Sequence, residues 1–550
     1  MKSRYLILDC FVDEPACFGV PPFIAPYPRY VYGALIDAGI MAKAITYTTI
    51  EDLRAADMTI EESYRAVFLI GGAVVPGKYL GSRIGTLAEI TRIMKKNRDM
   101  SFILGGEASR MMSELPPRAV AVTGDIEKYA YSLATGSPVD ALRDADEIAR
   151  WGPLGAGVVE AHPSFPHIIC EVETYRGCPR QQHCSFCSEG LFGSLQFRKI
   201  KDIVKEVDAL IARGVSRFRL GRQADILQYG TAFSNFRSGF PEPDTGAVIE
   251  LFRELQERKR RGEISVLNID NANPGTIYNF PDESKKMLAV IADAVTPGDT
   301  LALGIESFDP AVVAANGLKV RPKEALEVIR LVNETCGDRV EGIPKLLPGI
   351  NLIQGLRHES MESFEMNHRW LVKMLEEGLL LKRINIRKLL PFPGTPLYNS
   401  TQKKAGKLLN RFEYYRDRIR HDVDIPMLKS IYPPGTVLRD VQILEQHQGH
   451  SLGKQIASYS ITARFPCESD IFSFQNALVL GHRERSLFCL PLPLAVNDLP
   501  QKAFEAIPGI GKHGASDIVL RRPFENMAAF LAFLDEKGLV VPAEIRKQIL

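Results

Sequence analysis

Over residues 1–140, short apolar runs alternate with amphipathic stretches. Arg4–Cys10 (RYLILDC), Ala66–Gly72 (AVFLIGG), Ser101–Gly106 (SFILGG) and Ala119–Asp125 (AVAVTGD) have the length and continuous apolarity of buried strands. Arg29–Ile40 and Gly85–Asn97 between them carry a helical period. This rhythm predicts a doubly wound α/β domain over 1–150, with any ligand beyond the carboxyl ends of its strands. Gly71-Gly72 and Gly105-Gly106-Glu107 fall at such ends, where tight turns are the expected role.

From about residue 165 the alternation lengthens. Strands are expected at Ile168–Tyr175, Ser216–Gly221, Ile264–Asp270, Thr300–Glu306, Pro348–Gly355 and Arg383–Leu390. Helices are expected between them, at 200–213, 247–260, 283–294, 322–335 and 362–377. Strands joined by helical crossovers form parallel sheets, so a partial (β/α)6, TIM-like barrel is predicted over 165–400. Ser234–Gly246, rich in Gly and Pro, reads as a lid or substrate loop after the second strand. A charged helical stretch at 403–421 follows the barrel, then a small β-rich domain over 430–495 and a helical module over 496–550.

Composition narrows the class without naming a partner. Lys+Arg 68 against Asp+Glu 66 leaves +2, so a nucleic-acid reading needs a local site rather than overall charge. Acids and a proline interrupt the N-terminus too early for a signal peptide, and no apolar run reaches the ~18 residues of a membrane span. Nine cysteines, unevenly spread, do not read as a disulfide framework; a cytoplasmic protein with no membrane partner is expected.

Three of those cysteines, Cys178, Cys184 and Cys187, lie in one loop directly after the first barrel strand, YRGCPRQQHCSFCSEG. Spaced C-x5-C-x2-C, they can aim three thiolates at one centre. A structural zinc wants four ligands, and no fourth cysteine is near; a 4Fe-4S cluster on three thiolates keeps one iron open. Spacing alone leaves cluster, zinc knuckle and plain buried thiols in play.

The CSFC segment, with Phe186 between its cysteines, resembles the radical S-adenosylmethionine (SAM) superfamily, although the family's first gap holds three residues rather than five. LGRQAD (220–225), GIESFDPAVVAANGLK (304–319), GLRHES (355–360) and INIRKLLPFPGTPLY (384–398) are similar, in order, to the family's strand-end motifs. The last is closest to the branch containing tRNA methylthiotransferases. The resemblance implies a 4Fe-4S cluster on Cys178, Cys184 and Cys187, which serve as catalytic and metal-binding residues. It also implies SAM bound by Phe186, Gln223, Asn268, Gly304, Glu306 and Ser307, a 5′-deoxyadenosyl radical, and oxidoreductase or transferase chemistry fed by an electron donor such as ferredoxin or flavodoxin. Several branches carry a cobalamin-binding domain of the N-terminal kind. All ten histidines here lie at 162 or later, so the usual cobalt ligand is absent and cobalamin is the disfavoured alternative.

LPQKAFEAIPGIGKHGASDIVLRR (499–522) is similar to the helix-hairpin-helix family, whose glycines and helix N-terminus meet a phosphate; Gly509, Gly511 and Lys512 are the implied contacts. Gly449–Pro466 resembles the small TRAM or OB-like barrel that holds tRNA in methylthiotransferases. Together these point to a nucleic acid, RNA more than DNA. Radical modification of a protein or small metabolite, and a non-catalytic iron–sulfur nucleic-acid binder, are the competing readings.

Overall fold

The structure is a computed structural model that describes residues 4–14, 17–72, 79–138, 142–191, 195–398, 411–455 and 457–549. Its first layer is a five-stranded parallel sheet. The strands are β1 (Tyr5–Asp9), β2 (Ile45–Thr49), β3 (Ala66–Ile70), β4 (Phe102–Gly105) and β5 (Ala119–Ala121), in the order β2-β1-β3-β4-β5. β1 and β3 are buried along their whole length, which accounts for their uninterrupted apolar sequence. The expected helices are present at Pro26–Asp37 and Leu87–Lys96; in the second, Thr86 and Glu89 form a reciprocal capping box.

The second layer is the predicted parallel half-barrel: β6 (Ile169–Glu173), β7 (Arg217–Gly221), β8 (Val266–Ile269), β9 (Asp299–Glu306), β10 (Leu346–Gln354) and β11 (Arg383–Lys388). β8 continues, after Asp270, as Asn271–Ala272, which pairs with β9. The domain boundary is less clean than the sequence suggests, because Phe23–Ile24 leaves the first layer and adds a parallel edge to β6. Buried charge joins the layers: Glu206 receives Arg29 and Arg198, while Arg143 bridges Glu127 and Glu173. Every one of these side chains is enclosed, so losing one partner would strand its mate in the interior.

The third unit is a closed five-stranded barrel of β12 (Val437–His447), β13 (His450–Gln455), β14 (Thr462–Phe465), β15 (Phe474–Arg483) and β16 (Ser486–Leu492). Helices Gln501–Glu505, Gly511–Arg521, Met527–Glu536 and Ala543–Ile549 follow. Phe504, Ile518, Phe530 and Ile545 share one apolar core with Leu438, Val441 and Leu478 of the barrel. The terminal helices are therefore packed onto the barrel rather than tethered to it. Of the charged stretch expected at 403–421, Phe412–Ile419 is helical and residues 403–410 lie outside the described residues. Among the described residues no helix is long and apolar enough to cross a membrane.

Candidate active site

The carboxyl ends of β6 to β10 converge on the cysteine loop. Burial pushes the Cys178 thiol up to about 11, and it pushes the Cys187 thiol well above its ordinary range, with help from Glu189 and the other two sulfurs. Backbone amides of Arg180 and Glu189 point at Cys178 and Cys187, and Arg180 Nη1 lies 3.2 Å from Cys184 Sγ. The thiols thus sense one another's charge, while among the described residues no three His, Cys, Asp or Glu side chains converge tightly enough to hold a single metal ion. Three thiols with donors at hand match the ligand count of a 4Fe-4S cluster that keeps one iron open.

The loop is fastened from several directions. Ser185 donates two hydrogen bonds to Asn316: its amide to the Asn316 carbonyl at 3.0 Å, and its hydroxyl to Asn316 Oδ1 at 2.8 Å. Leu397 N–H donates to the Ser185 carbonyl at 2.9 Å, so the PFPGTPLY segment after β11 closes over the cysteines. The 234–246 insertion folds as a short hairpin on the same loop: Arg180 stacks on the Phe240 ring at 4.8 Å and Gln181 N–H donates to the Gly239 carbonyl at 3.1 Å. Phe186 packs with Val312, Val313, Leu318 and Leu356, which fixes the turn between the last two cysteines.

Around this loop, buried polar atoms lack partners. Asn268, fully enclosed at β8, has neither amide atom satisfied; Glu306 Oε2 at the end of β9 and Gln354 Oε1 at the end of β10 are likewise without a partner. An unmade buried hydrogen bond costs about 1–3 kcal/mol, so three orphans at adjacent strand ends indicate a missing polar ligand. An amino-acid-bearing cofactor such as SAM fits this donor set. Glu306 sits at a β-bulge with φ +67, a strained conformation outside glycine that turns its carboxylate into the site. Burial raises its pKa, opposed by Lys319 and Arg387. Lys319 Nζ lies 3.5 Å from Glu306 Oε1 and 3.2 Å from the Gly304 carbonyl, and a Cβ at Gly304 would collide with that ammonium. A side chain at Gly304 would therefore push Lys319 and Glu306 out of their present positions.

Other sequence candidates are placed differently. The Gln223 amide is engaged internally, receiving Thr174 Oγ1 and donating to the Leu220 carbonyl, both at 3.2 Å. Ser307 Oγ accepts from the Asp309 amide at 3.1 Å, in a local turn. A Cβ on Gly509 would strike the Val540 carbonyl, so this glycine (φ +90) serves contact between the two helical hairpins; Gly511 (φ +65) faces open space, with Lys512 exposed beside it. Sequence reasoning passed over Arg180, Lys319 and Gln354. Lys319 closes the GIES…GLK stretch, and its spacing from Glu306 around one crossover was the available signal.

Residues 172–370 match the Radical SAM superfamily model. An uncharacterized protein of Archaeoglobus fulgidus is 35% identical over 542 residues, covering 97% of this chain and 98% of its own. One of Methanocaldococcus jannaschii is 37% identical over 484 residues, covering 84% and 88%. Among solved structures, the radical SAM methyltransferase TsrM of Kitasatospora setae, 16% identical, covers 72% of this chain and 75% of its own with a TM-score of 0.49.

Proposed function

This chain belongs to one family with its archaeal relatives and is a radical SAM enzyme, and from that premise we propose that it modifies a nucleic acid, a base in structured RNA, in the manner of the methylthiotransferase-like branch. The observation carrying the site is the set of orphaned polar atoms on Asn268, Glu306 and Gln354 beside the three-cysteine loop. Bound there, a 4Fe-4S cluster with SAM supplies, on reduction by an external donor, a 5′-deoxyadenosyl radical able to take hydrogen from unactivated carbon.

The chain's own residues do the rest. Cys178, Cys184 and Cys187 hold the cluster; Arg180, beside Cys184 Sγ, offsets thiolate charge. Glu306 accepts from the cofactor's ammonium or ribose hydroxyls, and Asn268 and Gln354 offer the remaining polar contacts. Lys319 keeps Glu306 oriented. The 234–246 hairpin and the segment ending at Leu397 exclude water from the radical's position.

The nucleic-acid part of the reading is supported by the PGIG hairpin, where Gly511 and Lys512 leave an open helix start, and by the small closed barrel. Engagement of Gly509 by Val540 favours a second reading, in which the helical module serves assembly and the radical acts on a protein or small metabolite. Because those helices share the small barrel's core, deleting them would unfold both; the test is the surface change Lys512→Glu. Weaker binding of bulk unmodified tRNA, with unchanged thermal stability, is expected; unaltered affinity would favour the second reading.

A further inference from the structure

The wall of the half-barrel opposite Glu306 carries positive charge that the catalytic reading does not use. Along β11, Ile384 and Ile386 face the helical side and join the apolar core, so the alternating Arg383, Asn385 and Arg387 face the lumen. Their ladder partners on β10 are Gly349, Asn351 and Ile353, and Ile353 packs against the cysteine-loop cluster. Arg387 is near enough to Glu306 for each to shift the other's proton affinity. These arginines therefore stand in the same chamber as the proposed cofactor site.

The small barrel closes this chamber from outside. Residues 457–461, before β14, reach the half-barrel and are tied there by Ser458: its amide donates to Asp299 Oδ1 at 3.0 Å, its hydroxyl to the Ile269 carbonyl at 2.8 Å, and its carbonyl accepts from Thr300 Oγ1 at 2.9 Å. This anchorage presents Tyr459, in a left-handed conformation (φ +54), as a wall whose ring lies 4.3 Å from the Arg383 guanidinium carbon. Lys454, on β13, and Arg485, at the exposed turn between β15 and β16, are within electrostatic reach of Arg383. The line of cations thus runs from the chamber to the surface.

None of these four cations has a carboxylate ion-pair partner among the described residues, and Arg383 Nε is buried with no hydrogen bond at all. The nearby acids do not supply one. Asp13 accepts the Tyr79 hydroxyl, burial pushes Asp424 up to about 7 against the pull of Arg485, Arg420 and Arg383, and Glu445 acts on Lys454 only at range. Burial and neighbouring cations lower Lys454 to about 8 and Arg383 to about 10. Arg387, by contrast, is raised against the effect of burial by Asp13, Tyr459, Tyr79 and Glu306. Cations placed within reach of one another and without an ion-pair partner are stabilised by a multivalent oxyanion, and planar guanidiniums suit phosphate in particular.

We propose that Arg383, Arg387, Lys454 and Arg485, walled by Tyr459, form a substrate phosphate subsite that leads from the small barrel into the radical chamber. It rests on the nucleic-acid reading only for the source of the phosphate, a strand's backbone rather than a small phosphorylated molecule. Phosphates held along this line leave the attached nucleoside pointing toward Glu306 and the cysteine loop.

The test uses the full chain, reconstituted anaerobically, and the conservative surface-side variants Lys454→Gln and Arg485→Gln, with melting temperature as a folding control. Bulk unmodified tRNA is titrated across a salt series, and adenosine 5′-monophosphate is titrated separately. Each variant is expected to weaken tRNA binding several-fold and to reduce the slope of log affinity against log salt by about 1. Wild-type tRNA affinity with unchanged slopes in both variants would overturn the subsite while leaving the nucleic-acid reading intact. Failure of tRNA to bind, with adenosine 5′-monophosphate bound by the wild type and lost in both variants, would keep the subsite and remove the strand as its source. Binding of neither probe overturns both.

Discussion

The molecule contains two parallel α/β sheets whose carboxyl ends are completed to different degrees. In the first layer those ends are filled only in part by the chain itself, and a cavity lined by Gly106, Glu107, Asp125, Glu127, Arg143 and Arg222 remains beside them. A Cβ at Gly72 would stand 2.8 Å from Val12 Cα, and one at Gly105 would stand 2.6 Å from Ile126 Cδ1. The glycines there admit neighbouring backbone and side chains. In the half-barrel the ends of β8, β9 and β10 instead retain unsatisfied atoms on Asn268, Glu306 and Gln354. Among the described residues the first layer's ends also carry orphans, Glu107 Oε2 and Glu127 Oε2, and burial raises the Glu107 carboxyl to about 8, so it can retain a proton near neutrality. A crevice at strand ends is common to both sheets. What separates a mounting from a site is whether the protein's own groups complete it.

The largest expected effect falls on the open end. Replacing any one of Cys178, Cys184 and Cys187 with alanine should reduce 5′-deoxyadenosine formation to background, measured by mass spectrometry on anaerobic, reduced protein. Comparable product from Cys184→Ala would break the comparison at once. Next comes Glu306→Gln, which keeps shape but removes the charge facing Lys319; SAM binding should weaken about 10- to 100-fold, the range for a hydrogen bond to a charged group. Calorimetric titration with SAM checks this, and unchanged affinity would remove Glu306 from the site.

The partly filled end should respond in stability instead. Gly105→Val inserts atoms where Ile126 already packs and should cost about 1–3 kcal/mol, read from denaturant unfolding, with SAM affinity unchanged. A large loss of SAM affinity at wild-type stability would mean that the first sheet also holds cofactor. The smallest effect concerns Asp9 at the end of β1, whose carboxyl burial lifts from 3.8 to about 7 while it accepts from the Phe11 amide and the Tyr47 hydroxyl. Between those pH values the folded chain keeps a proton that the unfolded chain has released, so this group's contribution to stability falls as pH rises from about 4 to 7. Asp9→Asn should flatten that portion of the profile; an unaltered profile would show that Asp9 titrates normally.

Much of this contrast was legible in the sequence. Uninterrupted apolar runs marked the buried strands, and the cysteine loop and Glu306 were placed at strand ends by their motifs. The parallel α/β architecture follows from the same rhythm and is observed. What escaped depended on contacts distant in sequence. Two residues, Phe23–Ile24, give no periodic signal, yet they extend the half-barrel. Gln223 looked available because its partners Thr174 and Leu220 are identified only by folding. The alternation R-I-N-I-R of β11 was visible, but its lumen-facing charge acquires meaning only with Tyr459, supplied from a unit more than 70 residues downstream. Gly509 and Gly511 look equivalent in PGIG and differ because Val540 covers one of them.

The most direct test of the central claim is the metal content and SAM turnover of the same oxygen-free preparation. The account predicts about four iron and four sulfide per chain, together with reductant-dependent release of 5′-deoxyadenosine from SAM. A colourless protein holding stoichiometric zinc, and leaving SAM intact, would contradict it.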